Sequence, residues 1–250
     1  MPDDTIDLVQ QVRAHLESLA ATGVLFVPRG AAIVHAPLRV AATPIATPVE
    51  APAPQEDRFE TRLRELEVLR TEVAACDKCS ELFATRLQTV FGTGPLDAEV
   101  AFVGDAPGSG EDAQGEPFVG TGGQVLGRII GACGFTRDRV YLFNAIKCRP
   151  PNNRVPTMAE CANCRDFFRR QFDLVKPKHL FAMGEFVSKL LSGQKATLAE
   201  LRGKVHEYRG VPLICTHHPN DIETDKTGRL KAETGLDMRL LLTTMGREPK

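Results

Sequence analysis

The sequence predicts an α/β fold: a three-layer α/β/α sandwich around a mostly parallel, four-stranded central sheet. Three observations carry that prediction. Short apolar runs at residues 100–103, 140–143, 179–183 and 213–216 read as strands buried on both faces. Helical stretches lie between them, near 122–133, 157–175 and 185–191. The residues with unusual chemistry fall just past the strand ends: GDAPG after the first, NAIKCRPPNNR after the second and THHP after the last. Open parallel sheets bind ligands beyond the carboxyl ends of their strands.

The remaining elements follow in order. Ile6, Val9, Leu16 and Leu19 recur at roughly helical spacing, so residues 1–40 are expected to form an N-terminal helical extension. Residues 41–57, AATPIATPVEAPAPQED, are rich in proline and alanine without apolar periodicity and read as an extended linker. The third segment, 58–250, is the α/β domain. It opens with a helix marked by Phe59, Leu63, Leu66, Leu69 and Val73, which delivers the chain to Cys76. A short helix at 197–202 and a closing helix at 230–244 complete the reading.

Composition narrows the class. The 250 residues are 42% hydrophobic and 25% charged, as in an ordinary soluble globular protein. No apolar run is long enough to span a membrane, and Pro2, Asp3 and Asp4 have the wrong sign for a secretory signal, so a cytoplasmic monomer is the default expectation. The net charge of −1 argues against indiscriminate nucleic-acid binding. Lys147, Arg149, Arg154, Arg165, Arg169 and Arg170 nevertheless cluster in sequence, and a local basic face suffices for DNA.

The strand-end motifs carry the chemistry. Gly104-Asp105-Ala106-Pro107-Gly108 and the later Gly115-Glu116-Pro117-Phe118-Val119-Gly120 permit close backbone approach to a ligand. No Gly-Lys-Ser/Thr ending is present, which excludes a P-loop, and GDAPG is not a dinucleotide fingerprint. Asn144 ends its strand with an amide that offers both a donor and an acceptor to a base edge. His217-His218-Pro219 ends the last strand beside the same crevice. Singly, such an Asn is more often a turn former and such a His a satisfied polar residue; their convergence beside a glycine loop favours a site.

Seven cysteines in a chain of this kind point to metal binding or burial rather than disulfides. Cys133 and Cys215 lie in apolar runs and read as small core residues. Cys76, Cys79, Cys161 and Cys164 have the spacing of a zinc site, whereas including Cys148 suggests an iron–sulfur cluster. The spacing leaves both open.

Taken as an ordered set, these pieces resemble the family 4, thermostable-type uracil-DNA glycosylases. They are Cys76-x-x-Cys79, GDAPG with Glu111-Asp112, Gly115-x-Pro117-Phe118-Val119-Gly120, Asn144 with KCRPPNNR, Cys164, and Thr216-His217-His218-Pro219. The resemblance covers about residues 76–241 and implies the uracil-DNA glycosylase fold. It also implies a structural 4Fe–4S cluster on Cys76, Cys79, Cys148 and Cys164, with Cys161 as an extra, exposed cysteine one turn earlier. The implied activity is hydrolysis of the N-glycosidic bond of deoxyuridine in single- and double-stranded DNA, giving free uracil and an abasic site.

By position, Phe118 would stack on the flipped uracil and Asn144 would read its edge and reject cytosine. His218 would donate to uracil O2, and Asp105 would hold the hydrolytic water. Asn153 belongs to the same pocket, the Ala106 backbone contacts uracil, and Glu111 crowds the place of the thymine methyl. Two departures stand out. Asp105 replaces the family's usual Glu, one methylene shorter. The third motif continues with Asp221, Glu223 and Asp225 where the family carries an apolar or basic run, which implies weaker duplex binding and a preference for single strands. KCRPPNNRVP lacks the basic, histidine-containing insertion of relatives that trap DNA covalently, so turnover is expected. The alternative function is a non-catalytic iron–sulfur module that binds uracil-containing or single-stranded DNA.

Overall fold

The computed structural model describes residues 55–248, with side chains from Arg58 onward, together with Arg13, Ala14, Glu17 and Ala21. Contacts divide the chain into Met1–Ala51 and Pro52–Lys250. Most of the expected N-terminal helix, including Ile6, Val9, Leu16 and Leu19, lies outside the described residues, as does the linker up to residue 54. The linker's expected end at residue 57 is displaced, because helix α1 already begins at Gln55 and runs to Ala74.

The chain continues through α2 (Ser80–Thr85), β1 (Ala101–Gly104), α3 (Ser109–Gln114), α4 (Thr121–Ala132) and β2 (Tyr141–Asn144). Then come α5 (Met158–Val175), β3 (Leu180–Met183), α6 (Glu185–Ser192), α7 (Leu198–Leu201), β4 (Val205–Tyr208), β5 (Val211–Thr216), α8 (Pro219–Thr224) and α9 (Arg229–Thr244). The sheet order is β2-β1-β3-β5-β4, with four parallel strands and β4 antiparallel to β5 at one edge. The sheet therefore has five strands, not the expected four. Strand β4 escapes an apolar-run reading because it is an edge strand: Val205-His206-Glu207-Tyr208 alternates exposed and half-buried positions. Arg209 and Gly210, both at positive φ, make the two-residue turn into β5.

Period-two alternation builds the three layers. Ala101, Val103, Tyr141, Phe143, Leu180, Ala182, Leu213 and Cys215 face one core, beneath α1, α5 and α6. Val100, Phe102, Leu142, Phe181, Met183 and Ile214 face the other, beneath α4 and α9. Both sheet faces are covered, which is why these strands read as continuous apolar runs. Cys133 and Cys215 are core residues, and burial pushes both thiols up to about 11.

The chain leaves β1 for β2 on one side and returns to β3 on the other, so the carboxyl ends of β1 and β3 flank a topological switch point. The short connections beyond β1, β2, β3 and β5 all open there.

Candidate active site and cysteine cavity

A crevice of about 560 Å³ opens at this switch point. Asp105, Ala106, Glu111, Phe118, Asn144, Asn153 and His218 all line it, so every expected site residue outside the cysteine set meets in one place.

Asn144 forms the floor. It is the last residue of β2 and is 2% exposed, yet its Oδ1 has no hydrogen-bond partner among the described residues. An unpaired buried amide oxygen costs on the order of 1–3 kcal/mol and marks a place where a ligand donor belongs. Gly104 on β1 makes room for it: a Cβ there would stand 2.5 Å from Asn144 Oδ1 and 2.8 Å from Phe118 Cζ. Phe118 is itself held at φ 54°, an uncommon conformation for a bulky residue and one that marks functional loops. The loop is held by Glu111, whose Oε1 accepts from Val119 N–H (3.1 Å) and Gly120 N–H (3.3 Å) while Oε2 accepts from Gly108 N–H (3.1 Å).

Asp105 leaves the end of β1 and reaches the N-terminus of α6. Gly184, at φ 113°, is that helix's N-cap and has no side chain to offer. Asp105 Oδ1 substitutes for it, accepting from Val187 N–H at 3.0 Å. Oδ2 has no protein partner among the described residues. Burial, countered by the Val187 bond and reinforced by the nearby Asp221 carboxylate, pushes Asp105 up to about 7.

The two adjacent histidines at the end of β5 part company. His217 Nε2 lies 2.6 Å from Glu233 Oε2 on α9, in a network with Arg202, Asp237 and Thr216 that clamps α9 to the sheet. His218 faces the crevice. Its Nδ1 accepts the N–H of Asn220 at 3.2 Å, so Nε2 carries the proton. Burial lowers its pKa, against the opposing pull of Asp221 and Glu111. A neutral imidazole with Nε2–H as donor is the resulting form.

Asn153 sits at the rim on the turn Pro151–Asn153, exposed, with its Oδ1 accepting from Arg149 Nε at 2.7 Å. The expected acidic loop after Pro219 is the helix α8. Glu223 lies 3.8 Å from Arg128, and Asp225 accepts from Thr227 and Leu230 N–H at the start of α9. Of these three carboxylates Asp221 alone lines the crevice.

Next to the crevice, Cys76, Cys79, Cys148 and Cys164 line a small, tight cavity. Among the described residues, no three Cys, His, Asp or Glu groups converge as they do around a single metal ion. The four thiols instead surround a space, and cationic and amide donors approach them: Arg86 Nη1 is 3.0 Å from Cys148 Sγ and Asn163 Nδ2 is 3.3 Å from Cys79 Sγ. That donor set suits thiolates sharing a polynuclear centre, whose sulfurs accept hydrogen bonds from the protein. Cys161, expected to be exposed, is 5% exposed and packs in the core. Three residues before Cys164, it shares the buried stripe of α5 with Phe168, Gln171 and Phe172.

Lys147, expected on a basic surface, is 1% exposed, and its ammonium donates to Phe91 O (3.2 Å), Asn144 O (2.9 Å) and Gln171 Oε1 (2.5 Å). Burial pulls it down to about 7, against the Cys164 and Cys148 sulfurs. Three acceptors nevertheless use all three ammonium protons, and a neutral amine has only two. Arg154 is likewise engaged, with Glu81 and Glu160, and Arg170 with Glu72. The expected basic face is thus reduced to Arg165 and Arg169, exposed on α5, and the half-buried Arg149, whose hydrogen bond to Asn153 leaves its charge unpaired.

With this geometry in hand, comparison with known proteins is decisive. The uracil DNA glycosylase superfamily matches residues 91–237. The chain belongs to that superfamily. It is 37% identical over 165 residues to a type-4 uracil-DNA glycosylase of Archaeoglobus fulgidus, covering 63% of this chain and 82% of the relative. The type-4 enzyme of Thermotoga maritima is 35% identical over 68% of this chain and 90% of its own length. That of Sulfurisphaera tokodaii is 38% identical over 62% and 74%. The superfamily match ends just past the crevice helix α8, within α9, and begins at Phe91, whose carbonyl receives the Lys147 ammonium.

Proposed function

We propose that this superfamily member excises uracil from DNA with the residues of the Asn144–His218 crevice, and that its four-cysteine cavity holds a 4Fe–4S cluster. The buried, unpaired Oδ1 of Asn144 is the observation that carries the reading. Uracil N3–H supplies the donor that this oxygen lacks, whereas cytosine presents an acceptor at the same position. Phe118, held beside it, offers a ring face to the extruded base, a contact worth about 1–3 kcal/mol.

Cleavage of the bond between C1′ and uracil N1 leaves negative charge on the base and positive character on the sugar. The Nε2–H of neutral His218 donates to uracil O2 as that charge develops, a preorganised interaction worth about 3–4 kcal/mol by analogy with oxyanion-hole donors. Water adds to C1′, its oxygen becoming the abasic hydroxyl and its proton leaving to solvent or to Asp105. Asp105 Oδ2 is the acceptor that orients this water, with Oδ1 fixed on α6. Both oxygens of Glu111 are engaged with backbone, so its part is to hold the Phe118 loop, with its stem occupying the space beside uracil C5. The Ala106 backbone and Asn153 complete the walls.

Cys76, Cys79, Cys148 and Cys164 would hold the 4Fe–4S cluster, which supplies a structural cross-link between the segment before α2, the turn after β2 and helix α5. A hydrolysis has no redox step for it to perform. Asp221, near the phosphates of a bound strand, disfavours rigid duplex more than pliable single strands. Incubation with a uracil-containing oligonucleotide tests the activity: mass spectrometry should detect free uracil and an abasic strand, and intact substrate would refute it. A brown protein absorbing near 400 nm tests the cluster.

A further inference from the structure

We propose that Lys147 is a positioning residue that couples the cysteine cavity to Asn144, so that the state of the cavity governs how uracil is read. The inference rests on the reading of Asn144 and of the cavity given above. Lys147 stands three residues from Asn144 and next to Cys148. Its ammonium is sealed from solvent and has no carboxylate partner among the described residues. One of its three bonds ends on the Asn144 carbonyl, which closes β2 and fixes the peptide from which the reading side chain projects. The other two run to Phe91 O and to Gln171, whose own amide donates to Phe91 O and Tyr141 Oη, both at 2.9 Å. Gln171 is thereby locked with its oxygen toward the lysine.

Three aromatic rings complete the cage, with the ammonium 5.0 Å from the Phe143 centroid, 5.8 Å from Phe168 and 5.9 Å from Phe91. Aromatic faces and carbonyl oxygens favour the cation but carry no full negative charge. A buried ammonium without an anion is costly. The same residue, Lys147, meets the cavity wall through its backbone: its N–H donates to the Cys164 sulfur, and Cys148 is its covalent neighbour. Thiolates bound to iron carry the missing negative charge; protonated thiols do not. The cavity and the crevice are thus joined by one side chain, and emptying the cavity removes the counter-charge of the group that holds Asn144.

Lys147→Met keeps an unbranched side chain, one atom shorter, and deletes its charge and donors. Loss of the chelator-resistant absorbance near 400 nm should become about tenfold faster, and affinity for free uracil about tenfold weaker, in the range found when outer partners of metal ligands are removed. On a uracil oligonucleotide, kcat should fall by a similar factor with KM unchanged. In an Asn144→Leu background the same Lys147→Met change should lower kcat no further, because both act on one contact. Gln171→Met, which leaves the lysine but frees it, should move the same readouts in the same direction and carries the test if Lys147→Met does not fold. Unchanged uracil affinity in both variants, or equal losses with and without Asn144, would overturn the coupling. If Asn144→Leu itself leaves uracil affinity intact, or the wild type shows no absorbance near 400 nm, the underlying reading of the crevice or the cavity fails, and the coupling with it.

Discussion

His218 Nδ1 accepts the backbone N–H of Asn220 at 3.2 Å, and that single contact decides which ring nitrogen faces the crevice. Nitrogen NMR of the free protein should show His218 neutral at pH 7 with the proton on Nε2, since burial lowers its pKa. Asn220→Pro deletes that N–H, and should mix the tautomers and lower kcat about tenfold, by analogy with other orienting partners of functional imidazoles.

Asp105 makes stability and activity run in opposite directions with pH. Its pKa is raised to about 7 in the folded chain, against about 3.9 unfolded. The folded state therefore binds the extra proton between those values. This group's contribution to stability is complete below pH ~4 and is lost as pH rises through about 7. Denaturation midpoints should fall across that window in wild type, and Asp105→Asn should flatten the dependence. On the role proposed for Asp105, in which the carboxylate orients the water, the rate should rise across the same window. Asp221→Asn removes a charge that raises the Asp105 pKa, so the rising limb of kcat/KM should move to lower pH.

Asn144→Leu should stabilise the free protein by about 1 kcal/mol, because it removes a buried oxygen without a partner. Free uracil should raise the melting temperature of wild type and leave the variant's unchanged. Melting curves with and without uracil measure both.

Asp221→Asn should also tighten binding to duplex DNA more than to single strands, with the difference shrinking as salt rises. Glu223→Gln should do much less, since Glu223 already lies against Arg128. Titrations at two salt concentrations distinguish these outcomes.

Much of the architecture is legible in the sequence because buried parallel strands leave unbroken apolar runs, and because ligand chemistry gathers at their carboxyl ends. Strand β4 is not, since an edge strand exposes one face and breaks the run with His206 and Glu207. That these residues converge on one crevice was legible from the ordered motifs, but the contacts of each side chain were not. Glu111 and Asp105 prove to hold backbone N–H groups as well as to line the crevice, which depends on loops brought together only in three dimensions. Charge in sequence also misled for Lys147, where a run of basic residues hides one that faces inward. Cys161 illustrates the same limit: its place three residues before Cys164 was the available signal for burial on a shared helix face.

The central claim is that the Asn144–His218 crevice removes uracil hydrolytically. It is tested most directly by uracil release from matched single-stranded and duplex oligonucleotides, with wild type beside His218→Ala. Release by wild type, with a loss of about 10²–10³ in kcat for the variant on both substrates, is the predicted result. Release that survives the substitution undiminished, or no release from wild-type protein whose absorbance near 400 nm is intact, would contradict it.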